Sequence, residues 1–303
     1  MQGYEAALKI VNLGVKKLIL GTRTTAKGET TKAKILAQSP LEESAIDTFE
    51  IEYGSFASVS RFADAVKAST STLDCVLLSA GVAMPGYEVS AEGWEMGIQV
   101  NVLSSALLAT ELLPLLRAAQ STSKQTSCLE FVSSVGYCNV TPAHIAPLVS
   151  DPSANVLQYF NDAKRYSVEK GYFEAKLLVM FVEQGIVESL GGTQGKCGSP
   201  GDPIVLSCCP GQCKTDLGHN FSLAMKALMS AFQLFCARTA EQGSRVLVTG
   251  LQQGEEAHGR MWMNDLFDDR SPALPQDQWE NLQRRAWKEV LEALRKYKPD
   301  LEV

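Results

Sequence analysis

Residues 166–176 read Tyr-Ser-Val-Glu-Lys-Gly-Tyr-Phe-Glu-Ala-Lys, so the pattern Tyr-x-x-x-Lys occurs twice, at Tyr166/Lys170 and at Tyr172/Lys176. On a helix, positions i and i+4 share a face, and each ammonium can lie beside its phenol. A cation about 4 Å away at an effective dielectric of roughly 20 contributes about 4 kcal/mol, which lowers a phenol pKa by about three. General acid–base catalysis near neutral pH needs a change of that size. With continuous helix through both pairs, six residues turn the chain by about 600° and advance it by about 9 Å, so one site can use only one pair. Leu177, Leu178, Phe181 and Val182 continue a buried stripe beyond the second pair. The first pair has Glu169 before its Lys and Gly171 after it. That carboxylate is costly beside an apolar ring face, and Gly costs about 1 kcal/mol in a helix interior. Tyr172/Lys176 is the expected working pair, with Tyr166 a solvated face or lid residue. Tyr and Lys are common, so the surrounding fold decides whether the pattern is chemistry.

Outward from this helix, apolar runs of strand length alternate with helix-period segments. Strands are expected at 18–20, 45–51, 75–78, 128–133 and 204–208. Helices are expected up to about 37, at 56–68, 92–117 and 176–189, and near 225–237 and 276–296. This βαβ rhythm predicts an α/β fold, a doubly wound parallel sheet whose ligands bind beyond the carboxyl ends of the strands. There is no internal repeat, low-complexity linker or charge run, so a single domain over 1–303 is expected. The glycine-rich stretch 191–201 follows a helix and precedes a strand, the reverse of a phosphate loop, and reads as a surface connection.

The chain has 303 residues, 45% of them hydrophobic, enough for a sizeable core. Net charge is -6, and no Lys/Arg run exceeds a pair, which argues against nucleic acid or an anionic membrane as partner. The longest apolar stretch, 106–116, is interrupted by Glu111 and Pro114, so no membrane span is expected. Eight Cys sit mostly in apolar contexts, and the N-terminus lacks a charged-then-apolar secretory pattern, which points to reduced thiols and a cytoplasmic protein. Cys208, Cys209 and Cys213 surround Pro210-Gly211 and lack a second pair at zinc spacing, so no metal site is expected. The amphipathic segment 221–235 suggests contact with a lipid surface or an apolar substrate.

Four further motifs fall in order at strand ends: Ser79-Ala80-Gly81, Asn101 in Gln-Val-Asn-Val, Ser134 in Phe-Val-Ser-Ser-Val-Gly, and Pro210-Gly211 followed by Thr215. With Tyr-x-x-x-Lys, this set resembles the short-chain dehydrogenase/reductase family. Gly21-Thr22-Arg23, 55–59, 176–181 and 238–243 are similar to its retinol-dehydrogenase-like branch in filamentous fungi, which implies secondary metabolism. The resemblance implies a Rossmann-like fold and hydride transfer between a nicotinamide and a carbonyl or alcohol. Tyr172 would be the general acid/base, with the small Ala175 before Lys176 as the family pattern expects. Lys176 would lower the Tyr172 pKa and bond the ribose, Ser134 would polarise the carbonyl, and Asn101 would hold a relay water. Ser79, Ala80, Gly81, Pro210, Gly211 and Thr215 would line the cofactor. Arg23, with no acidic residue in its place, favours NADP (NADPH). Glu52 and Tyr53 would lie against adenine.

The family begins with a strand and a Gly-rich turn, and Gly3 resembles that turn's last glycine, so an N-terminally truncated sheet lacking its first strand is expected. Such a sheet exposes two strand edges. Two other readings therefore stand beside the reductase: a cofactor-independent isomerase, dehydratase or cyclase using Tyr172 and Ser134, and a catalytically silent binding subunit. The stretch between Ser134 and Tyr172 is expected to cap an apolar small-molecule substrate, with His144, Leu157, Tyr159 and Phe160 as lining candidates and 221–235 as the other wall. A homodimer through the helices at 92–117 and 172–189 is the family-type assembly.

Overall fold

The computed structural model describes residues 2–123, 126–214, 237–268 and 274–303. Nearly all of the expected helix at 225–237, the wall at 221–235 and Thr215 lie outside them. Among the described residues seven strands form: β1 Leu18–Thr22, β2 Ile46–Glu50, β3 Cys75–Leu78, β4 Cys128–Val132, β5 Ile204–Cys208, β6 Met261–Met263 and β7 Leu266–Phe267. β3, β4, β5 and β6 pair in that order, all parallel, with Cys75 opposite Cys128 and Cys128 opposite Ile204. β7 returns antiparallel on β6. Asn264 and Asp265, both at positive φ, make the two-residue hairpin turn, a conformation that Asn and Asp tolerate.

Helices cover both faces. α1 (Gln2–Asn12) and α9 (Ala240–Gly250) pack on the face that carries Cys128, Ile204, Leu206 and Cys208. The other face carries Val76, Leu78, Leu129, Phe131 and Val205. It packs on α3 (Phe56–Ser69), α5 (Ser104–Ser123) and α8 (Val168–Ser189). α2 (Thr25–Leu36) packs on β1 and β2, with Ile35 in a core with Ile46, Ala7 and Val11. Polar caps fix several starts: Thr24 accepts from Lys27 N–H, Ser55 from Ser58 N–H, and Thr239 with Gln242 forms a capping box.

β1 and β2 pair in parallel as a separate ladder. No strand among the described residues lies between β1 and β3, and these two are not bonded to each other. Helices nevertheless bridge the ladders. α1 sets Ala7 and Val11 toward Leu18 and Leu20 and sets Ala6 and Ile10 toward Leu77. On the opposite face Ile51 and Phe62 share one core with Val76, Leu78 and Leu107.

Three expectations change. Helix 92–117 starts later, as α4 (Met96–Ile98) capped by Glu95, widens into a π turn at Gln99–Leu103, and continues as α5. Because helix persists through Glu111 and Pro114, Met96–Ala119 is long and apolar enough to cross a membrane. Its apolar window is 78% buried inside the fold, as for a core helix. The stretch 139–167, read as a loop, contains α6 (Pro142–Ser150) and α7 (Val156–Phe160).

The two long helices of the family-type assembly also make contacts within the chain. α10 (Gln276–Tyr297) lies on α8, with the Trp287 ring so close that a Cβ on Gly185 would come within 2.2 Å of it. Trp287 Nε1 donates to Ser189 Oγ at 3.0 Å, and Trp279 meets Phe181 edge-on at 4.8 Å. Glu111 of α5 is held by Ser60 and Lys67 of α3 and by Lys298.

Candidate active site

The Ser167 hydroxyl caps α8 by accepting Lys170 N–H, so the helix starts after Tyr166 and the two Tyr-x-x-x-Lys pairs are not equivalent. Tyr166 precedes the helix, and its ring lies over Gly171, where a Cβ would come within 2.7 Å. Its hydroxyl donates to Met84 O at 3.1 Å, and its ring meets Tyr87 edge-on. Tyr166 is therefore a half-buried brace on the 82–87 loop, not a solvated residue. Burial pushes its phenol up to about 12.

One turn into α8, Tyr172 and Lys176 face the ends of β4 and β5. The Ser134 hydroxyl accepts Gly136 N–H at 3.0 Å and lies near enough to the Tyr172 phenol to favour its ionised form. Lys176 is buried, its Nζ 5.8 Å from the Tyr172 ring centroid, and it donates to Val132 O at 2.8 Å. The expected lowering of the phenol is not found in this arrangement. Burial pushes Tyr172 up to about 12, against the effect of Ser134. Burial also brings Lys176 down to about 8. The physical reason is geometric: the ammonium is committed to a backbone carbonyl, while the phenol lies near Ser134.

The π turn presents Asn101 to the strand end after β3. Its Oδ1 accepts Val82 N–H at 2.8 Å and its Nδ2 donates to Val82 O at 2.9 Å. Gly81 sits between Asn101 and Lys176, and a Cβ there would come within 3.0 Å of Asn101 Oδ1 and 4.0 Å of Lys176 Nζ. The first turn of α1 meets the same strand end, since a Cβ on Gly3 would come within 2.8 Å of Ser79 Oγ. Thus Gly3, Ser79, Ala80, Gly81, Asn101, Ser134, Tyr172 and Lys176 lie along the carboxyl ends of β3 and β4.

After β5, Gly211 at φ 74° makes the Pro210-Gly211 turn, which Arg238 clamps. Arg238 donates to Pro210 O at 3.3 Å and to Asn264 Oδ1 at 2.7 Å. Cys209, buried beside this turn, accepts Val135 N–H on Sγ at 3.5 Å. The sequence reading gave neither Arg238 nor Cys209 a role; their adjacency to Pro210-Gly211, in space and in sequence respectively, is the available signal.

On the other ladder, Arg23 and Glu52 stand at the ends of β1 and β2, each roughly half exposed, and pair at 4.0 Å. Glu52 Oε1 also accepts Gly54 N–H at 3.1 Å. Tyr53 packs against the α3–α5 core, its phenol raised by burial, and its carbonyl accepts Ser104 Oγ–H at 2.6 Å.

The short chain dehydrogenase family model matches residues 2–138. Short-chain dehydrogenase sdnK of Sordaria araneosa is 46% identical over 305 residues, covering 95% of this chain and 85% of that protein. Short-chain dehydrogenase/reductase phmF of Phaeosphaeria nodorum is 36% identical over 99% of this chain and 85% of its own. The chain belongs to the short-chain dehydrogenase family. Among solved structures, the Pseudomonas aeruginosa RhlG/NADP active-site complex matches 88% of this chain and 91% of its own, with TM-score 0.62 and 16% identity. That likeness confirms the Rossmann-like α/β fold.

In this dehydrogenase the substrate-lining candidates of the 139–167 insert turn elsewhere. Leu157 and Phe160 are buried in the core. His144 Nδ1 accepts Thr141 N–H at the start of α6, and Tyr159 lies under the Arg165 guanidinium, which stands 3.3 Å from the ring centroid. These side chains build the insert itself, whose two ends lie at the Ser134 turn and at the start of α8.

Proposed function

We propose that this short-chain dehydrogenase interconverts a carbonyl and an alcohol on an apolar small molecule, with NADP as cofactor and Tyr172 as general acid/base. The observation that carries the reading is that α8 places Tyr172 and a buried Lys176, whose Nζ donates to Val132 O, beside the Ser134 turn at the carboxyl end of β4. The residues present fit a nicotinamide nucleotide. The lack of a Cβ at Gly81 leaves backbone open between Asn101 and Lys176, and Gly211 bends the facing turn. The amino-terminal turn of α1 lies beside Ser79 at this strand end, where a helix start favours a diphosphate. Gly3, Ser79, Ala80, Gly81, Pro210, Gly211 and Lys176 would hold it, and Arg23 would meet a 2′-phosphate. When bound, the cofactor supplies or accepts the hydride.

The chain's own residues handle the proton and the field. In the reducing direction Tyr172 gives its phenolic proton to the substrate oxygen, and Ser134 donates to the same oxygen, polarising the carbonyl. Lys176, charged below about 8, stabilises the phenolate left on Tyr172. Asn101 anchors the 81–82 backbone against the site.

The test is reduction of a panel of apolar ketones, followed by NADPH oxidation, with NADH in parallel. Tyr172→Phe should lower kcat by about 10²–10⁴ with NADPH binding retained. Turnover by Tyr172→Phe at the wild-type rate refutes the assignment, and conversion of a substrate without nucleotide would move the reading to cofactor-independent acid–base chemistry.

A further inference from the structure

The insert at 139–167 leaves directly from the turn that holds Ser134 and re-enters the fold at Ser167, five residues before Tyr172. Its front edge is tied to the segment between Gly81 and Asn101. Tyr87 donates to Asn161 O at 2.7 Å, Glu95 N–H donates to Asn161 Oδ1 at 2.6 Å, and Tyr166 donates to Met84 O. The insert is thus framed by Ser134, Tyr172 and the loop that carries Asn101's partner Val82.

Its back edge is held by one helical i,i+4 pair on α10. Glu289 accepts Val156 N–H on one carboxylate oxygen at 3.0 Å and Leu157 N–H on the other at 2.8 Å. Together with Asn155 Oδ1, which takes Gln158 N–H at 2.7 Å, it satisfies the first three amides of α7. Arg285 donates to Leu148 O at 2.8 Å, Asp151 O at 3.2 Å and Ala154 O at 2.5 Å, which closes the carboxyl end of α6. An anion therefore sits at a helix N-terminus and a cation at a helix C-terminus, each where backbone partial charge favours it. α10 also packs on α8, through Trp287 at Gly185 and Trp279 at Phe181, but Arg285 and Glu289 themselves bond the insert. Trp279 continues the path, meeting Tyr137 of the Ser134 turn at 6.1 Å between ring centroids and Phe181 of α8.

We propose that Arg285 and Glu289 are positioning residues that hold the 139–167 insert in place between Ser134 and Tyr172 and so set the size of apolar substrate accepted. The proposal rests on the carbonyl–alcohol reading for its kinetic readout and on backbone exchange for an independent one. The kinetic measurement is the ratio of kcat/KM for a bulky ketone to that for a small one. Glu289→Ala and Arg285→Ala are expected to shift this ratio about tenfold, since each removes two or three charge-assisted hydrogen bonds. Glu289→Gln keeps an acceptor at the same reach and is expected to restore much of the wild-type ratio. Glu292→Ala on the same helix, where the carboxylate is exposed and pairs only with Lys288, should leave it unchanged. A purely structural loss lowers both rates together and leaves the ratio as it was; that result overturns the proposal.

Hydrogen exchange on the same variants separates this failure from failure of the functional reading. In Glu289→Ala, faster exchange is expected at Val156 and Leu157 and also at 134–139 and 168–173. Acceleration confined to 156–160 overturns the proposal even if no ketone is turned over by the wild type. A wild type without turnover, with exchange spreading to the catalytic turn and helix, would instead leave the clamp standing and remove the reductase reading.

Discussion

Glu183 lies on α8, fully buried, and faces β5 Ser207. The Ser207 hydroxyl is directed to Met180 Sδ at 3.6 Å and opposes the burial effect only in part, so the carboxyl is pushed up to about 8 from 4.5. The folded state then holds a proton that the unfolded chain releases above 4.5. Stability tied to this group is fully present below 4.5, declines as pH rises, and is lost once pH passes about 8. With 1.36 kcal/mol for each unit, the span between the two values sets an upper bound of about 5 kcal/mol. Glu183→Gln keeps the shape and removes the titration. Urea unfolding of both proteins between about pH 5 and 8, with m-values compared, should show the variant gaining on the wild type by a few kcal/mol across the window. A constant difference over that range would refute the reasoning, because it would mean that the carboxyl ionises in the fold as readily as in water.

Three other outcomes are expected. The rate of ketone reduction should fall as pH rises through about 8, where Lys176 loses the charge that supports the Tyr172 phenolate, and a profile flat through that range would contradict the role given to Lys176. Arg23→Ala should weaken NADPH binding and leave NADH binding within about twofold, whereas Glu52→Gln, by freeing Arg23 from its ion pair, should tighten NADPH; a single phosphate contact of this kind is worth about 1.5–3 kcal/mol, read by fluorescence titration. Gly185→Ala gains about 1 kcal/mol of helix propensity but drives a methyl into the Trp287 ring, so a net loss of about 1–2 kcal/mol is expected in thermal unfolding, with α10 the first segment to exchange.

The parts of the fold legible in the sequence were those set by local pattern. Strands at 75–78 and 204–208 match their apolar runs residue for residue, and β5, buried at every position, shows why an unbroken apolar stretch reads as a strand buried on both faces. Ser134, Tyr172 and Asn101, singled out by their types and order, lie together at one end of the sheet. What escaped depended on contacts distant in sequence. α7 is stabilised by a carboxylate more than a hundred residues away, and α6 by an arginine equally remote, so no window around 139–167 could reveal them. α8 starts at Val168, ahead of the expected 176, because the Ser167 hydroxyl caps it, a local signal present in the sequence. The direction of the Tyr172 shift failed because spacing gives proximity along a helix, and not the orientation of an ammonium that prefers a carbonyl.

The separation of β1–β2 from β3–β7 divides the proposed cofactor site mechanically. Arg23 and Glu52 ride on the smaller ladder, and Ser134, Tyr172 and Lys176 on the larger, with only helix packing to transmit motion between them. A dinucleotide spanning both would act as a strut, and part of its binding free energy would go into fixing the angle between the two bodies. Fragments should then behave unlike the whole: the adenosine half alone would bind without ordering the chemistry, and the intact molecule would gain affinity from the bridging itself.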